Sequence, residues 1–254
     1  MELETKLKRL LMGLGCLLAI VSCAQSSTQT VTVFAASSLQ EVYQQLGSEF
    51  TQSHPAYKLI FSFDSSTQLA RQIIDGAPAD VFASADMNNM DLLALNDEIA
   101  GNSVVFATNQ LQIIVSPSAI DRIHSLADLS NPDVVVVLAA TDVPLGKYTA
   151  EVVKAAGVTI SPASYEPNAA SVVSKVVSGE ADAGIVYVSD VVSAGLAAVG
   201  IDIPSRSNVE VLYPIAVTRS GALQSGAALW VNYVLSEHSQ EILHKYGFAE
   251  VNDK

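Results

Sequence analysis

Hydroxyl side chains come in pairs at two strand-to-helix turns of this chain. Phe34-Ala35-Ala36-Ser37-Ser38-Leu39 closes one apolar strand pattern and Asp64-Ser65-Ser66-Thr67 closes the next, with no histidine or metal-ligand cluster beside either pair. Backbone N–H groups at a helix start have no intrahelical acceptor and lie at the positive end of the helix dipole. Serines placed there add neutral donors that point the same way. A set of this kind holds an anion without reacting with it.

Two further turns repeat the arrangement through the backbone alone. Val143-Pro144-Leu145-Gly146 follows a Val-rich strand, and Pro167-Asn168-Ala169 precedes a Val-striped helix. Pro144 presets φ near −65° and Asn168 is a strong N-cap, so both turns define their helix starts. Tyr187 ends Gly184-Ile-Val-Tyr187 and adds a phenolic donor where a buried strand stops. Taken singly, a Ser-Ser pair reads as an N-cap and Tyr187 as a core tyrosine. Four such helix starts in one chain point to an oxyanion receptor.

The elements that must position these groups alternate between strand and helix along the whole chain, which predicts an α/β architecture with largely parallel sheets. Strands are expected at Val31–Phe34, Tyr57–Phe63, Asp80–Ala83, Leu111–Val115, Val134–Leu138, Ala183–Tyr187 and Val209–Val217. Leu39, Val42, Tyr43, Leu46 and Phe50 recur at helical spacing, as do Leu69, Ile73 and Ile74. Further helices fit Gly146–Ala156, Ala169–Ser178 and Ala222–Ser236. From Asn208 onward the pattern reads as a return to the first lobe.

Residues 1–22 read as a secretory signal peptide, with Lys6, Lys8 and Arg9 ahead of the apolar run Leu10–Val21. That run is about 12 residues, short of the roughly 20 that span a bilayer. Ile20-Val21-Ser22-Cys23 is similar to a bacterial lipobox, which would make Cys23 the lipidated N-terminus and residues 23–30 a tether between anchor and domain. Cys16 and Cys23 are the only cysteines, so the exported body has no disulfide. Removal of residues 1–22 takes three basic and two acidic side chains, leaving 10 basic against 24 acidic groups, a net −14 on 232 residues. Nucleic acid is excluded as a partner by that charge. An anion must then be held by local dipoles, with salt screening the distant carboxylates.

Val33-Phe-Ala-Ala-Ser-Ser-Leu39, Leu69-Ala-Arg-Gln-Ile73, Gly76-Ala-Pro-Ala-Asp-Val-Phe82, Gly184-Ile-Val-Tyr187 and Lys245-Tyr-Gly-Phe248 together resemble the periplasmic molybdate-binding proteins of ABC importers. The resemblance covers nearly the whole mature chain. It implies the two-lobed type II periplasmic-binding-protein fold, with a mostly parallel sheet flanked by helices in each lobe and the ligand in the cleft between them. Lobe I would comprise residues 31–110 and 207–254, and lobe II residues 111–206. It also implies a site in which molybdate or tungstate is held by Ser38 and Ser66 from one lobe and by Leu145 and Ala169 (through N–H) and Tyr187 from the other, with Ser37, Ser65 and Asn168 as secondary contacts. No cofactor and no direct cation ligand is expected. The partners implied are the ABC permease and, through Cys23, the membrane; the protein would be a monomer on the periplasmic side of the cytoplasmic membrane.

Three positions depart from the family pattern. Ser37 stands where alanine is common, Leu145 where a smaller residue is usual, and Asp64 lies two positions before Ser66. Asp64 is expected to point outward or to cap the helix, since an inward carboxylate would repel a dianion. Arg71 is expected to pair with Asp75 at i, i+4. Alternatives are another oxyanion such as sulfate, a small organic acid, or an exported serine hydrolase with Ser37 or Ser38 as nucleophile and one of His54, His124, His238 and His244 as base. The last lacks a Gly-x-Ser-x-Gly elbow and any recognisable triad. Gly146-Lys147-Tyr148-Thr149 is not a Walker motif, because Thr141 stands where the first glycine should be.

Overall fold

The computed structural model describes residues 28–251. The signal peptide expected over 1–22 and the lipidation expected at Cys23 lie outside the described residues. The expected tether ends before residue 30: Gln29 and Thr30 already belong to the first strand, where Gln29 N–H donates to the Ala56 carbonyl at 2.8 Å.

In chain order the elements are β1 (Gln29–Ala36), α1 (Gln40–Ser53), β2 (Tyr57–Asp64), α2 (Ser66–Ile74), β3 (Val81–Ala83), α3 (Met87–Leu95), β4 (Val104–Asn109) and β5 (Leu111–Val115). There follow β6 (Val136–Ala139), α4 (Pro144–Ala156), β7 (Ser164–Glu166), α5 (Ala169–Val177), β8 (Ala183–Tyr187) and α6 (Val188–Ala194). The chain finishes with β9 (Val199–Asp202), β10 (Val211–Val217), α7 (Ser225–Val234) and α8 (Glu237–Lys245). Among the described residues no helix is long and apolar enough to cross a membrane.

The strands form two five-stranded sheets, ordered β2-β1-β3-β10-β4 and β7-β6-β8-β5-β9. In each sheet four strands run one way and one runs against them, β10 in the first and β5 in the second. The mostly parallel reading therefore holds, and the opposed strand is in each case the first one after the chain crosses from the other sheet. Those crossings are the step from β4 to β5 and the segment from β9 to β10. Asn208 ties them together: its Nδ2 donates to the Leu111 carbonyl at 2.8 Å and its Oδ1 accepts from Leu111 N–H at 3.1 Å.

Helices pack their apolar stripes onto the sheets. Val42, Tyr43, Leu46 and Phe50 of α1 are fully buried at i, i+1, i+4 and i+8, against Trp230 of α7 and the β2 aromatics. Val172 and Val176 do the same for α5. Burial of this kind contributes roughly 1.5–3 kcal/mol per large side chain. Its consequence here is rigidity: the carboxyl ends of β1, β2 and β3 leave one sheet side by side, and those of β6, β7 and β8 leave the other in the same manner.

Candidate functional site

Register brings the first group of donors together. Ala36 pairs with Asp64 across β1 and β2, and Ala35 with Ala83 across β1 and β3, so the turns after all three strands open on one edge. Ser37 and Ser38 lie in a short 3-10 turn (Ser37–Leu39) that runs into α1. Ser65 and Ser66 divide their labour. Ser65 is the N-cap of α2, its Oγ accepting from Gln68 N–H at 3.3 Å. Ser66, the first residue of the helix and 1% exposed, accepts from Ala85 N–H at 2.9 Å. Its oxygen is occupied by an amide that can only donate, which frees its proton for the cleft.

The second sheet supplies the facing donors. Val143 caps α4 without a side-chain bond, so Pro144, Leu145 and Gly146 form a bare helix start with Leu145 N–H unpaired by the helix itself. Gly146 is required by space: a Cβ there would lie 1.9 Å from the Ala140 carbonyl oxygen. Asn168 caps α5 through Oδ1, which accepts from Ser171 N–H at 2.9 Å, and leaves Ala169 N–H at the first helical position. Tyr187 ends β8, fully buried, and burial raises its pKa well above 10, so the phenol stays a neutral donor.

These groups line one small cavity between the two sheets. All eight residues expected at the site line it: Ser37, Ser38, Ser65, Ser66, Leu145, Asn168, Ala169 and Tyr187. Ala36, Val143 and Pro144, which the sequence reading placed in the donor turns but not among the contacts, are also in the wall, and Ala85 was missed altogether. Ala85 had no signal, because its part is played by a backbone N–H on a loop that only the β1–β3 pairing brings to Ser66. No lysine, arginine or histidine is among the described residues that line the cavity. Ser38 bonds the Tyr213 phenol at 2.9 Å, and Ser66 accepts from the Ala85 amide; neither of these partners is a general base.

Asp64 corrects an expectation. Its carboxylate neither points outward nor caps α2 but lines the cavity, where Oδ1 accepts from Ser65 N–H at 2.7 Å and from Asn168 Nδ2 at 2.9 Å. The second bond joins the two sheets. Arg71 likewise differs: it approaches Asp142 across the cleft at 3.9 Å rather than pairing with Asp75, both side chains being largely exposed. Thr67 Oγ1 adds a third cross-cleft contact, donating to the Asp142 carbonyl at 3.0 Å. Behind Tyr187, Asp190 Oδ2 accepts from Tyr187 N–H at 3.0 Å. Burial pushes the Asp190 carboxyl up to about 7, opposed by that hydrogen bond.

The sequence profile described as Bacterial extracellular solute-binding protein matches residues 31–249. The chain belongs to this family. Among curated relatives of this solute-binding chain, Molybdate-binding protein ModA of Mycobacterium tuberculosis is 37% identical over 222 residues, covering 87% of this chain and 85% of the relative. Molybdate-binding protein ModA of Escherichia coli is 31% identical over 251 residues, covering 93% and 95%. The solved periplasmic molybdate-binding protein of Azotobacter vinelandii superposes with a TM-score of 0.78 at 19% identity, covering 87% of this chain and 100% of that one, and so shares the fold.

Proposed function

We propose that the chain is an extracytoplasmic solute-binding protein that captures molybdate or tungstate between two lobes, residues 31–110 with 207–254 and residues 111–206, and delivers it to an ABC importer. The observation that carries this reading is the convergence of uncharged donors from both sheets on one cavity without a cation in its wall. Oriented dipoles and hydroxyls stabilise a fully ionised oxyanion without a desolvated counter-ion. Ser38 and Ser66 donate from lobe I; Leu145 N–H, Ala169 N–H and Tyr187 donate from lobe II, with Ser37, Ser65 and Asn168 completing the wall.

A ligand held by both lobes has higher affinity for the closed state and shifts the equilibrium toward it. The closed form is what the permease recognises. Size is one basis of selection among tetrahedral oxyanions, since the donors are fixed in number and direction. The protein works as a monomer tethered through Cys23 on the periplasmic side of the cytoplasmic membrane, and it performs no chemistry on its cargo.

A thermal-shift panel of molybdate, tungstate, sulfate, phosphate and chromate tests the reading. A ligand at 100 times its Kd adds about 2.7 kcal/mol to stability. Molybdate and tungstate are expected to raise Tm most. Sulfate ranking above both would reassign the cargo, and no response to any oxyanion would overturn the receptor assignment.

A further inference from the structure

A buried polar chain runs from the cavity to the crossing between the sheets. It starts at Ser38, whose Oγ lies 2.9 Å from the Tyr213 hydroxyl. Tyr213 is on β10 and fully buried, its ring held edge-to-face by Phe106, Tyr187 and Phe248 at 5.3–6.3 Å. The β10–β4 register shifts between Tyr213 and Pro214, an irregularity of the kind that re-aims a side chain. Asn109 ends β4, immediately before the chain crosses to the other sheet. Its Oδ1 accepts from Gln110 N–H at 2.9 Å, which fixes the amide so that Nδ2 is the end facing inward. That Nδ2 donates to Ser189 Oγ on α6 at 2.9 Å; burial raises the Tyr213 phenol well above its ordinary pKa, and the Asn109 side chain acts weakly in the opposite sense.

An amide nitrogen can donate but not accept, so Asn109 Nδ2 offers the Tyr213 proton no acceptor. Among the described residues the Ser38 oxygen is the acceptor in reach, and the buried phenol turns its proton there. Ser38 Oγ accepts that proton, and its remaining hydrogen has the cavity to point into. We infer that Asn109 and Tyr213 are positioning residues that lock the Ser38 hydroxyl as a donor toward the bound anion. Ser66 is locked in the same sense by a different group, the Ala85 N–H. With both hydroxyls held as donors, neither serine accepts from a protonated oxyanion, and Asp64, the carboxylate in the wall, is engaged through Oδ1 by Ser65 N–H and Asn168 Nδ2. This rests on the receptor reading above.

Titration calorimetry on the full chain with molybdate and with hydrogen phosphate tests it, using wild type, Tyr213→Phe, Ser38→Ala and the double variant. Tyr213→Phe is expected to weaken molybdate binding about tenfold, the scale of one donor to a charged partner. It is also expected to narrow the molybdate-to-phosphate ratio, since the freed Ser38 hydroxyl can then accept. In the Ser38→Ala background the same change should have no further effect on affinity. Should Tyr213→Phe not fold, Asn109→Leu keeps the phenol but lets it point either way, and is expected to weaken molybdate at least about twofold by halving the competent population. An equal loss in both backgrounds, or no loss in a folded variant, overturns the lock and leaves the receptor intact. A wild type that binds no oxyanion overturns the receptor reading, and the lock with it.

Discussion

Ser66→Ala deletes one oxygen that serves two partners, and the two losses can be read separately. Within the protein the oxygen accepts from Ala85 N–H at 2.9 Å, with Ser66 1% exposed and Ala85 3%. Water has little access there, so the amide is left unpaired, at a cost of about 1–3 kcal/mol. For a domain of this size that lowers the ligand-free Tm by roughly 2–4 °C per kcal/mol. Toward the ligand, a hydrogen bond to a charged acceptor is worth about 1.5–3 kcal/mol, which predicts a Kd roughly tenfold to a hundredfold weaker for molybdate. Ser65→Ala is the control. Its side chain caps α2 at 3.3 Å while its N–H is untouched. It should cost about 1 kcal/mol of stability and little affinity. Calorimetric titration and thermal melts of both variants check this. If Ser66→Ala binds molybdate as tightly as wild type, or Ser65→Ala loses as much affinity, the division of labour between the two serines is wrong.

Gly146→Ala places a methyl 1.9 Å from the Ala140 carbonyl oxygen, so the start of α4 must shift; affinity measured by titration should fall at least about tenfold, the scale of one charge-assisted bond lost at Leu145 N–H. Asp64→Asn keeps an oxygen to accept from Ser65 N–H and Asn168 Nδ2 but removes a charge from the cavity wall; it should tighten binding by about 1 kcal/mol or more, with the gain shrinking as salt rises. Asp190 gives a pH signature. Its folded pKa of about 7 lies above the ordinary 3.8, so between those values the unfolded chain has released a proton that the folded chain retains. Its contribution to stability is therefore full below about pH 4 and is lost as pH rises to about 7, on the order of 4 kcal/mol over that window. Denaturant unfolding of wild type and Asp190→Asn from pH 4.5 to 8 should show the difference between the two declining across the range, and a constant difference would refute the assignment.

Much of the site was legible because its parts are local. Pro144 and Asn168 announce helix starts by themselves, and the serine pairs follow strands that alternate visibly with helical patterns. Leu111–Val115 and Ala183–Tyr187 run as the apolar pattern indicates. Short or partly polar elements escaped notice. β7 (Ser164–Glu166) has three residues and β9 (Val199–Asp202) is an edge strand without a buried residue, so neither carries a period long enough to read.

Residue types and their order were enough to establish an α/β chain with four donor-rich helix starts, since caps, turns and periodicity act over a few neighbouring residues. What each polar group does was decided by tertiary structure. Asp64 turns inward because Asn168, 104 positions away, meets it across the cleft. Ser38 finds Tyr213 at a separation of 175 because β10 returns to the first sheet. A hydroxyl can donate or accept in any direction its rotor permits, and only partners brought from distant segments select one.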